Sequence, residues 1–491
     1  MDLDRTTPQT ELRGPEVPEA RWELTQKIKA AVKNNGFSLV GIAPGDPHPQ
    51  DVDFWKEWLQ SGHHGEMGYL ENPKRVSAQE WYPEVQSIIV AAMFYKGPTL
   101  NLQISKQPDP DQTTQPALGS LTTSPSFVIA SVVKQSHKGI LYEIATAPPL
   151  AGPRNDGMGK IWDGLDNKEI FPPKESNNTK VEHIEEARNN PAQTLGHNQE
   201  DKDMNEGKDN DLHRKNPTKP IFWGSPKDQG SQGVIASYAT YKDYHKIIYK
   251  RLKKTIKDIQ LLEPKTQGKI FVDANPILER SYAKLSGIGW IGKNTMMINP
   301  GLGSYFFIAG IAINLDLEKD HETLDHCGTC TRCIEACPTQ CITPYHLDAK
   351  NCISYITIEK KTIPVEKTMK EKIGNLIFGC DICQAVCPFN IRADKVIKEK
   401  SEKDQEWNPA ISNTLDLKTA LSWDEKDYKN YFRGTPVRRA KWPVFLRNTL
   451  VAAGNSGDKN LLPHLDKLPQ KNNDQDILNL VKEAMTRITS P

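Results

Sequence analysis

Nine cysteines are the residues whose type and spacing most clearly indicate chemistry, and all lie between Cys327 and Cys387. The first run, from Cys327 to Pro338, reads C-x2-C-x2-C-x3-C-P, the spacing with which bacterial ferredoxins hold [4Fe–4S] clusters. A second run, from Cys380 to Pro388, ends in the same C-x3-C-P but supplies three cysteines. The two runs predict two [4Fe–4S] clusters on eight cysteines, and therefore an electron-transferring protein, most readily a reductase.

The ligand sets follow from a crossing rule, because the last cysteine of each run ligates the other cluster. The rule predicts one cluster on Cys327, Cys330, Cys333 and Cys387 and a second on Cys337, Cys352, Cys380 and Cys383. We expect Cys352 rather than Cys341 as the eighth ligand, because Cys341 follows Cys337 too closely to reach round the same cubane. Zinc is the alternative, since C-x2-C pairs also bind zinc, but the two C-P runs favour clusters.

The composition of the chain narrows the partners and the location in the cell that we expect. The chain has 491 residues with 63 Lys and Arg against 62 Asp and Glu, so RNA binding would need a local basic patch. Only 37% of the residues are hydrophobic, which predicts that part of the chain is unpacked. We find no apolar run long enough for a bilayer and no apolar signal core near Met1, so we expect a cytoplasmic protein without membrane association.

Apolar spacing predicts helices and strands in alternation on both sides of a long polar stretch. The predicted helices are Trp22–Asn34, Asp53–Gln60, Tyr241–Ile259 and Ile277–Leu285, and the predicted strands are Phe37–Ala43, Ile88–Phe94, Lys269–Val272 and Ser304–Ala312. The βαβ alternation predicts one α/β domain, formed by residues 20–96 and 233–320, behind a flexible tail at 1–19. Residues 97–232 form a polar, largely flexible insertion, with either one hairpin or a small independent domain inside it.

Two further regions follow the α/β domain. Residues 321–400 contain the cysteines and predict a ferredoxin-like domain with two [4Fe–4S] clusters. Residues 401–491 are helical, with helices predicted at Trp442–Ala453, where Gly454 ends the helix, and at Asp476–Ile488. This helix pair resembles one HEAT-type repeat, and a plain helical cap is the equal alternative.

The candidate region that receives the electrons is Phe271–Arg280, followed by Gly287–Thr295. Within it, Asp273 falls at the carboxyl end of a predicted strand, where α/β domains place their sites. The structural alternative is an N-cap of the following helix. His63 and His64, with Glu66, could bind a metal, but a pair of loop histidines is more often structural.

The cysteine runs and several other segments together resemble epoxyqueuosine reductase, a family that acts on tRNA in queuosine synthesis. The similar segments are Gly36–Ala43, Gly62–Tyr69, Asp243–His245, Val272–Asp273, Gly289–Asn294, Gly303–Ser304, Cys352–Tyr355 and Gly379–Gln384. They span nearly all of the chain outside the tail and the insertion. In one departure, Ser237 stands where the family usually has an arginine, which puts one cobalamin or tRNA contact in doubt.

The resemblance implies an α/β domain that binds cobalamin, with electrons passed through the two clusters to it. Asp273 matches the family's proton donor for the epoxide oxygen, and a desolvated carboxyl with a raised pKa would suit that role. The cobalamin contacts that carry over are Arg75, Asp273, Lys293, Asn294 and Asp381. The segment after Asp243 lacks the D-x-H-x-x-G pattern, so we expect no histidine ligand on cobalt.

The implied partners are an external low-potential electron donor and the anticodon stem-loop of queuosine-type tRNAs, bound by a monomer. A phosphate-binding patch is predicted at Arg433, Arg438, Arg439, Lys441 and Arg447. A second candidate is the basic helix with Lys246, Lys250, Arg251, Lys253 and Lys254. The alternatives in function are a cobalamin and iron–sulfur reductase of a small molecule, such as an organohalide, and a ferredoxin-like electron carrier without catalysis.

Overall fold

The computed structural model describes residues 18–95, 97, 230–363, 365–393, 408–470 and 473–490. Most of the predicted tail and of the predicted insertion, including its hairpin, therefore lies outside the described residues. Within them, no helix is both long enough and apolar enough to cross a membrane.

A four-stranded sheet is the centre of the region on either side of the insertion. The elements before the insertion are α1 (Glu19–Asn34), β1 (Leu39–Pro44), α2 (Pro49–Gln60), α3 (Ala78–Trp81) and β2 (Ser87–Phe94). Those after it are β3 (Gln232–Ile235), α4 (Tyr244–Leu262), β4 (Gly268–Val272), α5 (Glu279–Leu285), β5 (Trp290–Ile291), β6 (Met297–Ile298) and β7 (Phe306–Ile313). The strand order is β1-β2-β7-β4, and every pairing is antiparallel. A βαβ crossover joins parallel strands, so the predicted βαβ pattern is wrong for this sheet.

Helices cover both faces of this sheet. On one face, Ile28 of α1 and Leu252 of α4 pack against strand residues such as Ile311. On the other face, Trp81 of α3 and Tyr282 of α5 pack against Phe271 of β4. The result is an α/β layer structure in which β4 and the loop after it reach the edge of the sheet.

The cysteine region consists of short elements. They are α6 (Arg332–Glu335), β8 (Ile342–Thr343), β9 (His346–Leu347), α7 (Ile353–Ile358), α8 (Lys367–Ile373), β10 (Leu376–Phe378) and α9 (Ile382–Ala385). The first run of cysteines surrounds α6, and the second run surrounds α9. Strand β10 leads through Gly379 directly into Cys380.

A second sheet joins three distant parts of the chain. The remaining elements are β11 (Thr414–Asp416), α10 (Leu417–Ser422), α11 (Glu425–Tyr431), α12 (Lys441–Ser456), α13 (Leu462–Leu465) and α14 (Gln475–Thr489). Strand β3 is central, parallel to β10 and antiparallel to β11. Although the sequence assigns β3 to the α/β domain, its partners come from the cysteine region and the C-terminal region.

The C-terminal helices α12 and α14 pack against each other and against this second sheet. Helix α12 runs through Gly454 to Ser456, so the prediction that Gly454 ends the helix is wrong. Gly454 instead permits close packing, because a Cβ there would lie 3.1 Å from the Cα of Ala484. Gly457, with a φ of +65°, provides the left-handed residue that follows the helix.

Candidate active site and cluster region

The two predicted ligand sets correspond to two neighbourhoods of cysteines. Cys327 and Cys387 pack in one apolar cluster with Trp290, whose indole N–H donates to Cys327 Sγ at 3.4 Å. Burial raises the pKa of Cys333 to about 11, and the charges of Cys387, Cys327 and Cys330 add to it. The first set therefore shares one environment. Among the described residues, no three His, Cys, Asp or Glu side chains converge on a single-ion site.

The second neighbourhood contains Cys352 and Cys380, and it also contains Cys341. Cys341 Sγ lies 3.5 Å from Cys337 Sγ and hydrogen-bonds to Cys352 as well. These hydrogen bonds raise the pKa of Cys341 and lower the pKa of Cys337 and of Cys352. Cys337, Cys341 and Cys352 therefore form one hydrogen-bonded group, and distance does not separate Cys341 from Cys352 as a cluster ligand. The choice of Cys352 stays a prediction.

Two predicted cobalamin contacts are engaged with the cysteine loops. Lys293 Nζ donates to the carbonyl of Gly328 at 2.6 Å and to that of Cys330 at 3.1 Å. Asn294 is buried and donates to the carbonyl of Cys383 at 3.3 Å. Both side chains therefore hold the two cysteine runs against the α/β domain.

Asp273 follows β4 directly, as predicted, and it is not an N-cap, because α5 begins at Glu279 with Leu278 as its cap. Its backbone has a φ of +56°, a left-handed conformation that is uncommon outside glycine. The carboxylate accepts from Tyr244 Oη at 2.7 Å and lies 3.4 Å from His245 Nε2. About half of the side chain (52%) is accessible, so this carboxylate faces open space.

The electrostatics of Asp273 contradict the expected raised pKa. Burial alone would raise the pKa of Asp273, but the hydrogen bond and charge of His245 lower it below its usual range, and Tyr244 and Arg439 add to this effect. The raised pKa belongs to Glu279, where burial and the charge of Asp273 bring it to about 8. Glu279 Oε1 accepts from the Asp273 backbone N–H at 2.6 Å. At neutral pH the carboxyl group of Asp273 is therefore ionised and that of Glu279 is mostly neutral.

His245 is held between two carboxylates. Its Nδ1 lies 2.8 Å from Asp243 Oδ1, and its Nε2 faces Asp273. Burial lowers the pKa of His245, but hydrogen bonds to Asp243 and Asp273 outweigh this and raise it to about 9. Both ring nitrogens face carboxylates, and the expectation that this histidine does not bind cobalt stays a prediction.

An open cavity of about 560 Å³ lies beside Asp273 and is lined by Tyr69, Arg75, Ala274 and Pro276, among others. Arg75 Nε, Ser237 Oγ and Tyr305 Oη are buried and have no hydrogen-bond partner within the described part of the chain. The Ser237 N–H donates to the buried Asp381 at 2.7 Å. Of these residues Arg75 lines the cavity, and its unpaired Nε fits a polar ligand bound there.

This polar group extends from Asp273 to the second set of cysteines. Tyr238 lies within electrostatic range of both Asp273 and Asp381, and Tyr305 lies within range of both Asp381 and Cys383. The donor set therefore suits a large cofactor with amide side chains better than a small ion.

Comparison with known proteins identifies the family. A family model described as epoxyqueuosine reductase QueG matches residues 218–274, and one described as a 4Fe-4S double cluster binding domain matches residues 326–390. Epoxyqueuosine reductase of Xanthomonas campestris is 40% identical over 261 residues, which cover 52% of this chain and 70% of that protein. The enzyme of Leadbetterella byssophila is 44% identical over 218 residues, 44% of this chain and 68% of that protein. The chain belongs to the epoxyqueuosine reductase family.

Solved structures of epoxyqueuosine reductases share this fold. The enzyme of Streptococcus thermophilus matches with a TM-score of 0.62 at 20% identity, covering 95% of this chain and 90% of that chain. A structure of an epoxyqueuosine reductase with an epoxyqueuosine-modified stem loop of tRNA-Tyr matches with a TM-score of 0.61 at 20% identity, covering 95% of this chain and 91% of that chain. The predicted membership of the epoxyqueuosine reductase family is confirmed, and so are the 4Fe-4S clusters as cofactors.

The predicted phosphate patch divides into exposed and buried members. Arg433, Arg438 and Lys441 are exposed, whereas Arg447 is completely buried, so the prediction for Arg447 is wrong. Its guanidinium donates hydrogen bonds to the backbone carbonyls of Ile356, Lys360 and Thr362.

The side chain of Arg439 packs against Glu359 and Tyr69 instead of extending into solvent. It donates from Nε to Glu359 at 2.6 Å and lies over the ring of Tyr69, which lines the cavity. The sequence singled out Arg439 only as a phosphate contact, and it did not single out Glu279 or Tyr244 as site residues. For Glu279 and Tyr244 the available signal was nearness in sequence to Asp273 and His245, but no local signal placed Arg439 beside Tyr69.

His63 and His64 each have a partner of their own. His63 Nδ1 lies 3.1 Å from His346 Nε2, and His64 Nε2 lies 2.9 Å from Glu71 Oε1. Through His346 in β9, the first of these contacts joins the loop after α2 to the cysteine region. These contacts give both histidines a structural role.

Proposed function

We propose that this chain reduces epoxyqueuosine to queuosine at the wobble position of the tRNA anticodon. The observation that carries the proposal is the accessible carboxylate of Asp273, held by Tyr244 and His245 at the carboxyl end of β4 in a member of this family. The relatives are named for this reaction, and one was solved with an epoxyqueuosine-modified stem loop. We further propose that the chain acts in the cytoplasm as a monomer, with electrons from an external low-potential donor.

The reaction breaks both carbon–oxygen bonds of the epoxide, forms a carbon–carbon double bond and releases the oxygen as water. It therefore consumes two electrons and two protons. When bound, the two [4Fe–4S] clusters and cobalamin would supply the electrons at these carbon–oxygen bonds. The residues of the chain bind and orient the modified base and provide the protons.

The cofactor contacts are proposals that rest on the site described above. The two cysteine sets, Cys327, Cys330, Cys333 and Cys387 and Cys337, Cys352, Cys380 and Cys383, would hold the clusters. Arg75, Asp273 and Asp381 would contact cobalamin, and we add Ser237 and Tyr305, because their unpaired hydroxyls can bind its amide groups. Lys293 and Asn294 would act at the border between cobalamin and the cysteine loops.

Asp273 would deliver the proton to the departing oxygen. Its accessible carboxylate can reach a ligand in the cavity, and Tyr244 keeps it oriented. The modified base would have to leave its stack to enter this cavity, because chemistry on a base requires access to its atoms.

The tRNA would be held by its phosphates on a basic surface formed by Lys242, Lys246, Arg433 and Arg438, all exposed. The two predicted basic patches meet here, because the backbone N–H of Asp243 donates to the carbonyl of Gly434 at 2.7 Å. This surface adjoins the Asp243–His245 pair and therefore the rim of the active site.

The decisive experiment uses the full chain purified without oxygen, with reconstituted clusters and added cobalamin. With a low-potential chemical reductant and tRNA that carries epoxyqueuosine, we expect the wobble nucleoside to lose the mass of one oxygen atom. A bound corrinoid should be visible in the absorption spectrum. Protein that retains the corrinoid and leaves the nucleoside unchanged would contradict the proposal.

A pair of variants tests the eighth cluster ligand. Cys352→Ser should lower the iron content by as much as one cluster, because the second cluster loses a thiolate. Cys341→Ser is the matched control and should keep the iron content of the unchanged chain. The opposite result would assign the ligand to Cys341.

A further inference from the structure

The proposed reaction consumes two protons, and Asp273 alone can supply only one of them. Each turnover delivers two protons to one oxygen atom, and a single carboxyl holds one. Asp273 must therefore be reprotonated within each cycle, or a second donor must act. The inference below rests on the proposed function.

The side chains around Asp273 form a continuous chain of hydrogen-bonding groups. Asp243 Oδ1 contacts His245 Nδ1 at 2.8 Å, and His245 Nε2 faces Asp273 Oδ2 at 3.4 Å. The ring cannot turn freely, because it stacks on Tyr244 with centroids 4.1 Å apart, and Tyr244 stacks on Phe307 at 3.9 Å. The two nitrogens of His245 are therefore directed at two different carboxylates.

The imidazole of His245 is the least accessible member of this group. The side chain of His245 is 16% accessible, against 34% for Asp243 and 52% for Asp273. Asp243 is anchored at its backbone N–H by Gly434 and caps α4 by accepting from the His245 backbone N–H. Asp243 thus holds Nδ1 of the ring, which leaves Nε2 to exchange a proton with the accessible carboxylate of Asp273.

We propose that His245 is the positioning and proton-relay residue that reprotonates Asp273, with Asp243 holding its ring. In this step the Nε2–H bond of His245 breaks and an O–H bond forms on Asp273 Oδ2. The neutral ring keeps its other proton on Nδ1, against Asp243, and solvent then restores the proton on Nε2. No electrons are transferred, so the relay adds only protons to the reduction.

The electrostatics of the surroundings support this geometry. The raised pKa of His245, about 9, keeps the ring protonated at neutral pH, because two carboxylates outweigh its burial. The lowered pKa of Asp273 means that the pair stores its proton on the imidazole between turnovers. The other titratable and charged side chains around this pair include Tyr69, Arg75, Tyr238, Tyr244, Lys246, Glu279, Arg280 and Arg439.

The competing explanation is that His245 and Asp243 only cap α4 and hold Asp273 in place. A purely structural role would change substrate binding or stability but not the pH dependence of turnover. The two explanations therefore differ in a measurable quantity, the pH profile of kcat at saturating tRNA and reductant.

The test uses holoenzyme carrying His245→Gln, which keeps an N–H donor but cannot carry a proton. We expect kcat to fall by roughly 10- to 100-fold with KM for tRNA unchanged. The basic limb of the pH profile, near pH 9 in the unchanged chain, should move, and imidazole added to the buffer should restore part of the rate. His48→Gln is the control, since His48 caps α2 by accepting from Gln50 N and lies outside this chain of groups.

Asp243→Asn provides a second variant in case His245→Gln does not fold. It should shift the same basic limb to lower pH, because His245 loses a carboxylate that raises its pKa. Unchanged pH profiles and rates in both variants would overturn the relay. If the unchanged chain itself fails to convert the tRNA, the proposed function fails, so the two failures are distinguishable.

Discussion

Two polar networks in this chain differ in their burial and in how fully their hydrogen bonds are made. Arg447 is wholly buried and donates to the carbonyls of Ile356, Lys360 and Thr362 and to Asn448. In the network around Asp273, the carboxylate is half accessible and the backbone is strained. Arg75, whose charge acts on Asp273, has an unpaired Nε.

The difference separates a structural network from a functional one. A buried charge whose hydrogen bonds are all made fixes the fold, and nothing in it is available to a ligand. Unpaired atoms and strain cost free energy, and they persist where a ligand or a reaction uses them. The two networks should therefore respond differently to substitution, one in stability and the other in turnover.

The largest effect is expected at Asp273. Asp273→Asn should lower kcat roughly 10²- to 10⁴-fold, because the side chain can no longer donate an acidic proton. Asparagine tolerates the left-handed backbone, so the melting temperature should change little. Single-turnover rates on epoxyqueuosine tRNA measure the effect, and full turnover by this variant would remove Asp273 from the mechanism.

The next effect is a loss of stability at Arg447. Arg447→Ala leaves three backbone carbonyls without a donor and opens a cavity, so the free energy of unfolding should fall by about 3 kcal/mol. Denaturation in urea measures it. The matched control is Arg433→Ala on the surface, which should stay within about 0.5 kcal/mol. Equal losses in the two variants would erase the contrast between buried and exposed arginines.

A smaller effect concerns the pH dependence of stability at Glu279. The pKa of Glu279 is raised from 4.5 to about 8, so between these values the unfolded chain releases a proton that the folded chain keeps. Stability from this group therefore falls as pH rises across that window. Glu279→Gln removes this loss, so the melting temperature of the variant should gain on the unchanged chain by ~2 °C or more from pH 5 to pH 8. His245 contributes to both chains and cancels in the difference.

The smallest effect is expected at the exposed Arg438. Arg438→Ala should weaken binding of tRNA several-fold and reduce the slope of affinity against salt by about one, because one phosphate contact is lost. Filter binding at several salt concentrations measures both quantities. An unchanged salt slope would move the phosphate surface away from the Pro436–Ala440 turn.

Local sequence patterns predicted much of the structure of this chain. The features that depend on contacts between distant segments could not be predicted. The cysteine spacing and the position of Asp273 after a strand depend on neighbours in sequence, so both could be predicted from the sequence. The antiparallel order of the sheet depends on pairing between strands such as β2 and β7, which are far apart. The predicted helix ends at Asn34, Gln60 and Leu285 are confirmed, but α4 runs past Ile259 to Leu262. Helix α12 runs past Gly454, where the chain packs against Ala484.

The burial of charged side chains and the direction of their pKa shifts were the hardest features to predict. Arg447 is one of several arginines in a basic segment, and only the carbonyls of α7 and the loop after it show that it is buried. The low pKa of Asp273 depends on His245, and the high pKa of Glu279 depends on Asp273. Such values follow from distances between side chains, which spacing in the sequence does not contain.

The three-stranded sheet of β3, β10 and β11 has a consequence for how the protein matures. Strand β10 positions Cys380, and its neighbour β3 receives its other partner, β11, only from the C-terminal region. A ribosome must therefore complete residues 414–416 before this sheet can form. Because β10 leads directly into Cys380, we expect metal loading of the second set of cysteines to follow translation of residues 414–416.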